Sequence, residues 1–358
     1  MNYTVEKNVQ IVLSLLKQSN IRLVVASPGT SNVTLVASMQ SDPFFKMYSS
    51  VDERSAAYMA CGLAAETNEP VVLTCTGATA SRNYLSALTE AFYRKLPILA
   101  ITATQPEVKI GSYSPQAIDR SRIQKDVAVF QTYLRTVRSE EENNLVTLRM
   151  NQAIHALTKR GGGPVHVDLE THSTREFTVK TLPTAKKIKF YDYDSELPPI
   201  PKGRILIFVG NHNIWKQEEI ELIDNFCSIY NGIVVCDHSS KYTGKYAVSA
   251  SLFGQGYVPE GLNANLRIHI GHVSADYPGI EFARKTPIEW RVNEDGEIRN
   301  VMGGTDSVFE MKEVTFFKHY ATHTGNQTEY LDACKKGYQE ALNRIKDLPF
   351  LIYGLRKN

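Results

Sequence analysis

The sequence predicts an α/β protein: a parallel sheet covered by helices on both faces, then a second unit of the same class. Two observations carry that expectation. Short, almost wholly apolar runs alternate with helix-length runs from Leu23 to Thr102, the pattern of strands buried on both faces and their crossover helices. The alternation lapses in a stretch rich in Lys, Pro and Thr and resumes at Arg204. At 358 residues the chain is long enough for two such domains, each with its own core.

The first element is a helix over Val5 to Leu16, where Val9, Val12, Leu13, Leu15 and Leu16 recur at near-helical spacing behind Thr4 as a cap. A strand, Leu23 to Ala26, ends in the tight turn Ser27-Pro28-Gly29-Thr30. A short apolar segment, Phe44 to Tyr48, leads to Val51-Asp52-Glu53-Arg54-Ser55-Ala56-Ala57, which opens the helical run Tyr58 to Ala65. An acidic residue at such a junction is favoured by the exposed amides and the helix dipole, whatever else it does. The apolar run from Val71 ends in the small-residue turn Cys75-Thr76-Gly77-Ala78-Thr79-Ala80, followed by a helix, Asn83 to Arg94, and a strand, Leu96 to Thr102. Ligands of parallel sheets sit outside the carboxyl ends of the strands. The Ser27 turn, Glu53 and the Thr76 to Thr79 turn all fall at that edge.

Periodicity fades from Gln105 to Phe130, which predicts a long loop of the kind that usually serves function. Asn143 to Lys159 reads as a helix stopped by Gly161-Gly162-Gly163, and Pro164 to Leu169 as a strand. His166, flanked by Val165 and Val167, reads as structural. Residues 176–202, with Leu197-Pro198-Pro199-Ile200-Pro201, are expected to be a linker. The second unit, 203–347, has strands at Arg204 to Gly210, Ile233 to Cys236, Leu266 to Gly271 and Ile288 to Val292. Its helices are Glu218 to Tyr230, Phe316 to Tyr320 and Tyr330 to Ile345.

Composition narrows the function classes. Apolar residues at 42% and charged residues at 22% describe a folded chain, and a net charge of +2 gives no basic field for nucleic acid. The five cysteines lack metal-ligand spacing and read as small buried hydrophobes of a reducing compartment. There is no leader-like N-terminus and no run of about 18 apolar residues, so a cytoplasmic protein without membrane spans is expected. No metal site of its own is expected either.

The order and spacing of Ser27-Pro28-Gly29, Asp52 to Ala57, the Cys75 to Asn83 turn, and Glu90-Ala91 before Pro97 resemble the pyrimidine-binding (PYR) domain of thiamine-diphosphate enzymes. The similarity is to the acetolactate synthase-like and menaquinone-pathway succinyl-enolpyruvyl-hydroxycyclohexene-carboxylate synthase-like branches. Gly163-Pro164-Val165-His166 is similar to the last strand of such domains. The resemblance implies a PYR domain over 1–175 and a Rossmann-like central domain over 203–347, in a decarboxylase or carboligase acting on a small 2-oxo acid. It implies that Glu53 is the catalytic carboxylate, sharing a proton with the aminopyrimidine ring. Ser27, Pro28, Gly29, Thr76, Gly77, Ala78, Thr79 and Asn83 would line the cofactor, and Thr30 and Gln116 would face the substrate. A carboxyl that keeps a proton near neutrality needs an apolar setting, for which Tyr58 and Met59 are candidates. The resemblance also implies a homodimer or higher oligomer with its sites at subunit interfaces.

The central domain of this family holds a nucleotide in some members, but Val209-Gly210-Asn211-His212-Asn213 lacks Gly-x-Gly-x-x-Gly, so a structural spacer is expected. The family's diphosphate-binding (PP) domain carries a Gly-Asp-Gly that is not found; Asn293-Glu294-Asp295-Gly296 reads as a turn. Leu348-Pro349-Phe350 resembles the start of a PP domain, which would make 348–358 its truncated beginning. The expectation is therefore thiamine diphosphate held by its aminopyrimidine end, with Mg²⁺ entering only through a PP domain. That domain is either on a separate subunit or lost by truncation, and the chain alone is inactive. The alternative is a catalytically silent binding or assembly protein. Ser31 stands where the menaquinone branch has Arg, and Thr104-Gln105-Pro106 where it has Asp-Arg-Pro. Neutral side chains cannot replace bidentate guanidinium contacts, which argues against isochorismate as substrate.

Overall fold

A computed structural model describes residues 1–251 and 261–345; the expected PP-domain start at 348–358 lies outside the described residues. The chain divides into two compact units, Met1–Lys187 and Ile188 onward. Every pairing between their named strands is parallel, as the unbroken apolar runs predict.

In the first unit the strands are β1 (Leu23–Ala26), β2 (Lys46–Ser49), β3 (Val71–Thr76), β4 (Ile98–Thr104), β5 (Phe130–Leu134) and β6 (Val165–Glu170), in the order β2-β1-β3-β4-β6-β5. The helices are α1 (Lys7–Gln18), α2 (Val33–Gln40), α3 (Glu53–Thr67), the single turn α4 (Thr79–Arg82), α5 (Leu85–Arg94) and α6 (Glu140–Ala156). Alternate strand residues feed two cores. Val24, Val72, Leu99 and Ile101 pack with α1, α2 and α6, whereas Val25, Leu73 and Ala100 pack with α3 and α5. The second core is built on Ala56, Ala57, Ala60, Ala64, Ala87 and Ala91, small residues that let both helices lie close to the sheet. Leu73 and Leu99 are fully buried, each stabilising the unit by roughly 1.5–3 kcal/mol.

Asp52 caps α3: its Oδ1 accepts from the Ser55 amide at 2.8 Å and the Ser55 hydroxyl at 2.7 Å. The helix ends at Asn68 in the left-handed region, φ 53°. The loop read from Gln105 to Phe130 contains one 3-10 turn, Glu107–Lys109, before β5 begins.

The second unit contains β7 (Lys189–Tyr191), β8 (Ile205–Val209), β9 (Gly232–Val235), β10 (Ala247–Val248), β11 (Leu266–Ile270), β12 (Glu289–Val292) and β13 (Thr305–Phe309). Its helices are α7 (Gln217–Tyr230), α8 (Tyr277–Arg284), α9 (Glu313–Tyr320) and α10 (Glu329–Ile345). The strand order β10-β9-β8-β11-β12-β13-β7 is that of a doubly wound sheet with one strand added at the edge. The stretch read as a linker is divided between the units. Val179 forms a bridge with Tyr3 in the first, and β7 pairs with β13 in the second. Buried polar groups sit inside the second sheet: Glu289 accepts from Arg267 Nε at 2.8 Å and from Thr305 Oγ1 at 2.8 Å. That interior explains why β13 reads as polar in the sequence.

Candidate functional site

Three strand ends build the candidate site. β2, β1 and β3 are neighbours whose carboxyl ends align, Ala26 facing both Ser49 and Thr74. Glu53, half-buried, is the first residue of α3, four residues beyond the end of β2. Across from it the Ser27 to Thr30 turn leaves β1, and the Gly77 to Thr79 turn leaves β3. The sheet thus brings Glu53 and the two turns to one edge, as the spacing predicts.

The turns are locked by groups that sequence reasoning passed over. Asn32, fully buried, accepts from the Gly29 amide at 2.9 Å and donates to the Ser27 carbonyl at 3.0 Å. A Cβ on Gly29 would stand 2.1 Å from Thr76 Oγ1, and one on Gly77 would stand 2.8 Å from the Ala103 carbonyl. Both glycines are therefore required by the chain's own packing, whatever else they face. Ala78, the next residue, has φ 60° and ψ −141°, a conformation that side chains disfavour by about 1–3 kcal/mol. Strain of this kind concentrates at functional sites.

Behind the Gly77 turn lies a buried ion pair. Arg120 Nε donates to Asp168 Oδ1 at 2.7 Å, Nη1 donates to Ser81 Oγ at 3.3 Å, and both partners of the pair are almost wholly buried. Arg120 escaped sequence reasoning because it lies in a loop and its partner Asp168 is distant in the chain, on β6. His166, two residues before Asp168, shares a hydrogen bond of 3.0 Å with Thr102 Oγ1, and burial lowers its pKa, which agrees with a structural role. Burial raises the Cys75 thiol to about 12 and also raises the Tyr84 hydroxyl, and the Glu53 charge adds to both.

Other expectations fare differently. Tyr58 and Met59, read as the apolar setting of Glu53, stand 43% and 42% exposed on α3 and do not enclose it within this chain. Pro28, Thr30, Thr79 and Asn83 are exposed at the edge, with Asn83 Nδ2 donating to the Thr79 carbonyl at 3.4 Å. Gln116 is exposed at φ 63°, and its loop is tied to α4 by Arg82 donating to the Asp119 carbonyl at 2.9 Å. Ser31 is buried, and Gln105 accepts from Lys109 at 2.9 Å.

An aminopyrimidine presents both donors and acceptors, so its site should offer polar atoms without partners in the protein. Thr76 Oγ1 is such an atom, buried at the end of β3 with no hydrogen bond among the described residues, and Ser27 Oγ, buried at the end of β1, has only the Tyr84 hydroxyl beside it. With Glu53 on the same edge, these residues fit that group.

Residues 7–123 match the family model described as thiamine pyrophosphate enzyme, N-terminal TPP binding domain. The chain carries a thiamine pyrophosphate enzyme N-terminal domain. This thiamine pyrophosphate domain contains all three strand ends of the candidate site. Across a longer span the chain is similar to proteins named 2-succinyl-5-enolpyruvyl-6-hydroxy-3-cyclohexene-1-carboxylate synthase. The one from Bacteroides thetaiotaomicron is 27% identical over 351 residues, 91% of this chain and 61% of the relative. That from Phocaeicola vulgatus is 30% identical over 222 residues, 59% of this chain and 40% of the relative. That from Porphyromonas gingivalis is 36% identical over 173 residues, 47% of this chain and 29% of the relative. The chain spans less than two thirds of the length of these relatives.

In the second unit, backbone hydrogen bonds join the loops at the crevice where a doubly wound sheet takes a nucleotide, beside a cavity lined by His212, Trp215, Gly271 and Glu313. The Gly210 amide donates to Ile270 at 3.1 Å, Asn211 to Val273 at 3.1 Å, and His272 to Asn211 at 2.9 Å. Glu313 Oε1 takes the Gly271 amide at 3.0 Å. These loop amides are thus engaged within the chain. Among the described residues no helix is long and apolar enough to cross a membrane.

Proposed function

We propose that this chain supplies the aminopyrimidine side of a thiamine-diphosphate site in an enzyme that decarboxylates or joins a small 2-oxo acid. The observation that carries the reading is Glu53 at the first position of α3, on one edge with the Ser27 and Gly77 turns. Bound there, the cofactor would supply a nucleophilic carbon able to add to a 2-oxo acid and hold the charge left by CO₂. Glu53 Oε holds and returns a proton at the ring nitrogen. Ser27 Oγ and Thr76 Oγ1 hydrogen-bond the ring edge, and Asn32 keeps the Ser27 to Gly29 turn in place. The cofactor's diphosphate and its Mg²⁺ are assigned to a PP domain outside the two described units. The neutral Ser31 and Gln105 favour an acceptor other than isochorismate.

The covering that Glu53 lacks in one chain is assigned to a second copy. Val51 is 89% exposed and Tyr93 70%, and together with Tyr58 and Met59 they leave apolar surface on and beside α3 and α5. The test combines the chain with a PP-domain protein, thiamine diphosphate, Mg²⁺ and a panel of 2-oxo acids. CO₂ release is expected from the assembly, and Glu53→Gln should lower kcat at least a hundredfold while cofactor binding changes little, because an amide cannot exchange the proton. Full turnover by the Glu53→Gln assembly would refute the assignment.

A further inference from the structure

At the opposite end of the first sheet a cavity of about 570 Å³ opens between the loop after β4, the edge strand β5 and α6. Its outer wall, β5, lies five strands along from β2, about 24 Å at the usual strand spacing, and its inner wall is Arg120, behind the Gly77 turn. We propose that it binds a small organic carboxylate with an apolar body.

Three guanidinium groups line it: Arg120, Arg135 and Arg149. Each is held differently. Arg120 is 4% exposed and fixed by Asp168 and Ser81, so it presents a preset donor face. Arg149 spends one N–H on the Tyr133 carbonyl at 2.8 Å, which orients the group and leaves its remaining donors. Arg135 follows β5, is exposed, and makes no hydrogen bond or ion pair among the described residues. Two carboxylates also line the cavity, but Asp168 is neutralised by Arg120 and Glu107 is exposed at the rim. Arg135 and Arg149 against Glu107 leave one net positive charge in the lining. A carboxylate accepts two parallel bonds from such a fork.

The remaining wall decides what is attached to that carboxylate. Ile110, Ile118 and Phe130 supply an apolar lining, and the volume is that of small-molecule sites rather than of a hollow for a single ion. Ile118 is two residues from Gln116, so an occupant touches the loop that carries that side chain. The two guanidinium groups that the resemblance expects at positions 31 and 105 are absent there, while this chain places others on β5 and α6.

The test is titration calorimetry of the intact chain, without cofactor, in a buffer free of carboxylates, using benzoate, benzamide and inorganic phosphate as probes. One benzoate per chain is expected, with benzamide and phosphate at least tenfold weaker. Arg135→Gln and Arg149→Gln should each weaken benzoate about tenfold, while Arg138→Gln, a neighbouring exposed arginine outside the cavity, should change it less than twofold. Circular dichroism checks that each variant is folded, and Arg135, being exposed, can be removed without disturbing the core. No saturable benzoate binding, phosphate binding as tight as benzoate, or an equal loss in Arg138→Gln would each overturn the proposal. These titrations do not involve Glu53, so they stand or fall apart from the catalytic reading.

Discussion

Burial holds the His166 imidazole below its ordinary pKa, with its Nε2 sharing a hydrogen bond with Thr102. Unfolded, the same ring protonates near pH 6.5, so below that value the unfolded chain takes up a proton that the folded chain refuses. Stability is therefore full above about pH 6.5 and declines as pH falls, by up to about 1.4 kcal/mol per unit for each such group. The urea midpoint should drop between pH 7.5 and 5.5, and His166→Gln should shrink that drop. His269, lowered by burial in the second unit, carries a further part. An unchanged pH dependence in the variant would show that His166 is not the titrating group. At this scale the sequence was an uneven guide. Glu53 and the two turns were legible because strand ends and their turn residues are local signals. Asn32, the strain at Ala78 and the Arg120 to Asp168 pair were not, since each depends on a partner or a backbone angle set by distant chain.

Among the elements, the strands buried on both faces were the readable ones, because Val71 to Thr76 or Ile205 to Val209 is apolar throughout. Elements that meet polar surroundings went unread. β5 is a half-buried edge strand with Gln131 and Thr132, β13 opens on Thr305, Asp306 and Ser307 against the buried Glu289, and α2 begins Val33-Thr34 with no side-chain cap. On α3 the informative face is the outer one. A Cβ on Gly62 would meet nothing within 4 Å, so this glycine weakens the helix without serving the packing within this chain. A second copy seated on that face would account for it, together with the exposed Tyr58 and Met59. Sedimentation velocity should then show a dimer at micromolar concentration, and Tyr58→Lys with Met59→Lys should give a monomer of unchanged helicity. A wild-type chain that sediments as a monomer would remove this face as an interface.

At the scale of the whole molecule, each unit has its own core among the described residues. The two cores of the first unit draw on residues up to Ala185, and that of the second begins at Tyr191. The fragment Met1–Lys187 should therefore unfold cooperatively in urea, with a midpoint within about 1 M of that of its transition in the full chain. A fragment ending at Gly163 should fail to do so, because it lacks β6; cooperative unfolding of the shorter piece would contradict the account.

The place of β6 has a consequence for the chain as it is made. β6 is synthesised last of the first sheet yet sits between β4 and β5, so β4 has only β3 and β5 has no partner until residue 170 has left the ribosome. At roughly 5–20 residues per second, translation leaves the apolar edge of β4 open for several seconds. During that interval the nascent chain offers a ready-made template to any other unpaired strand.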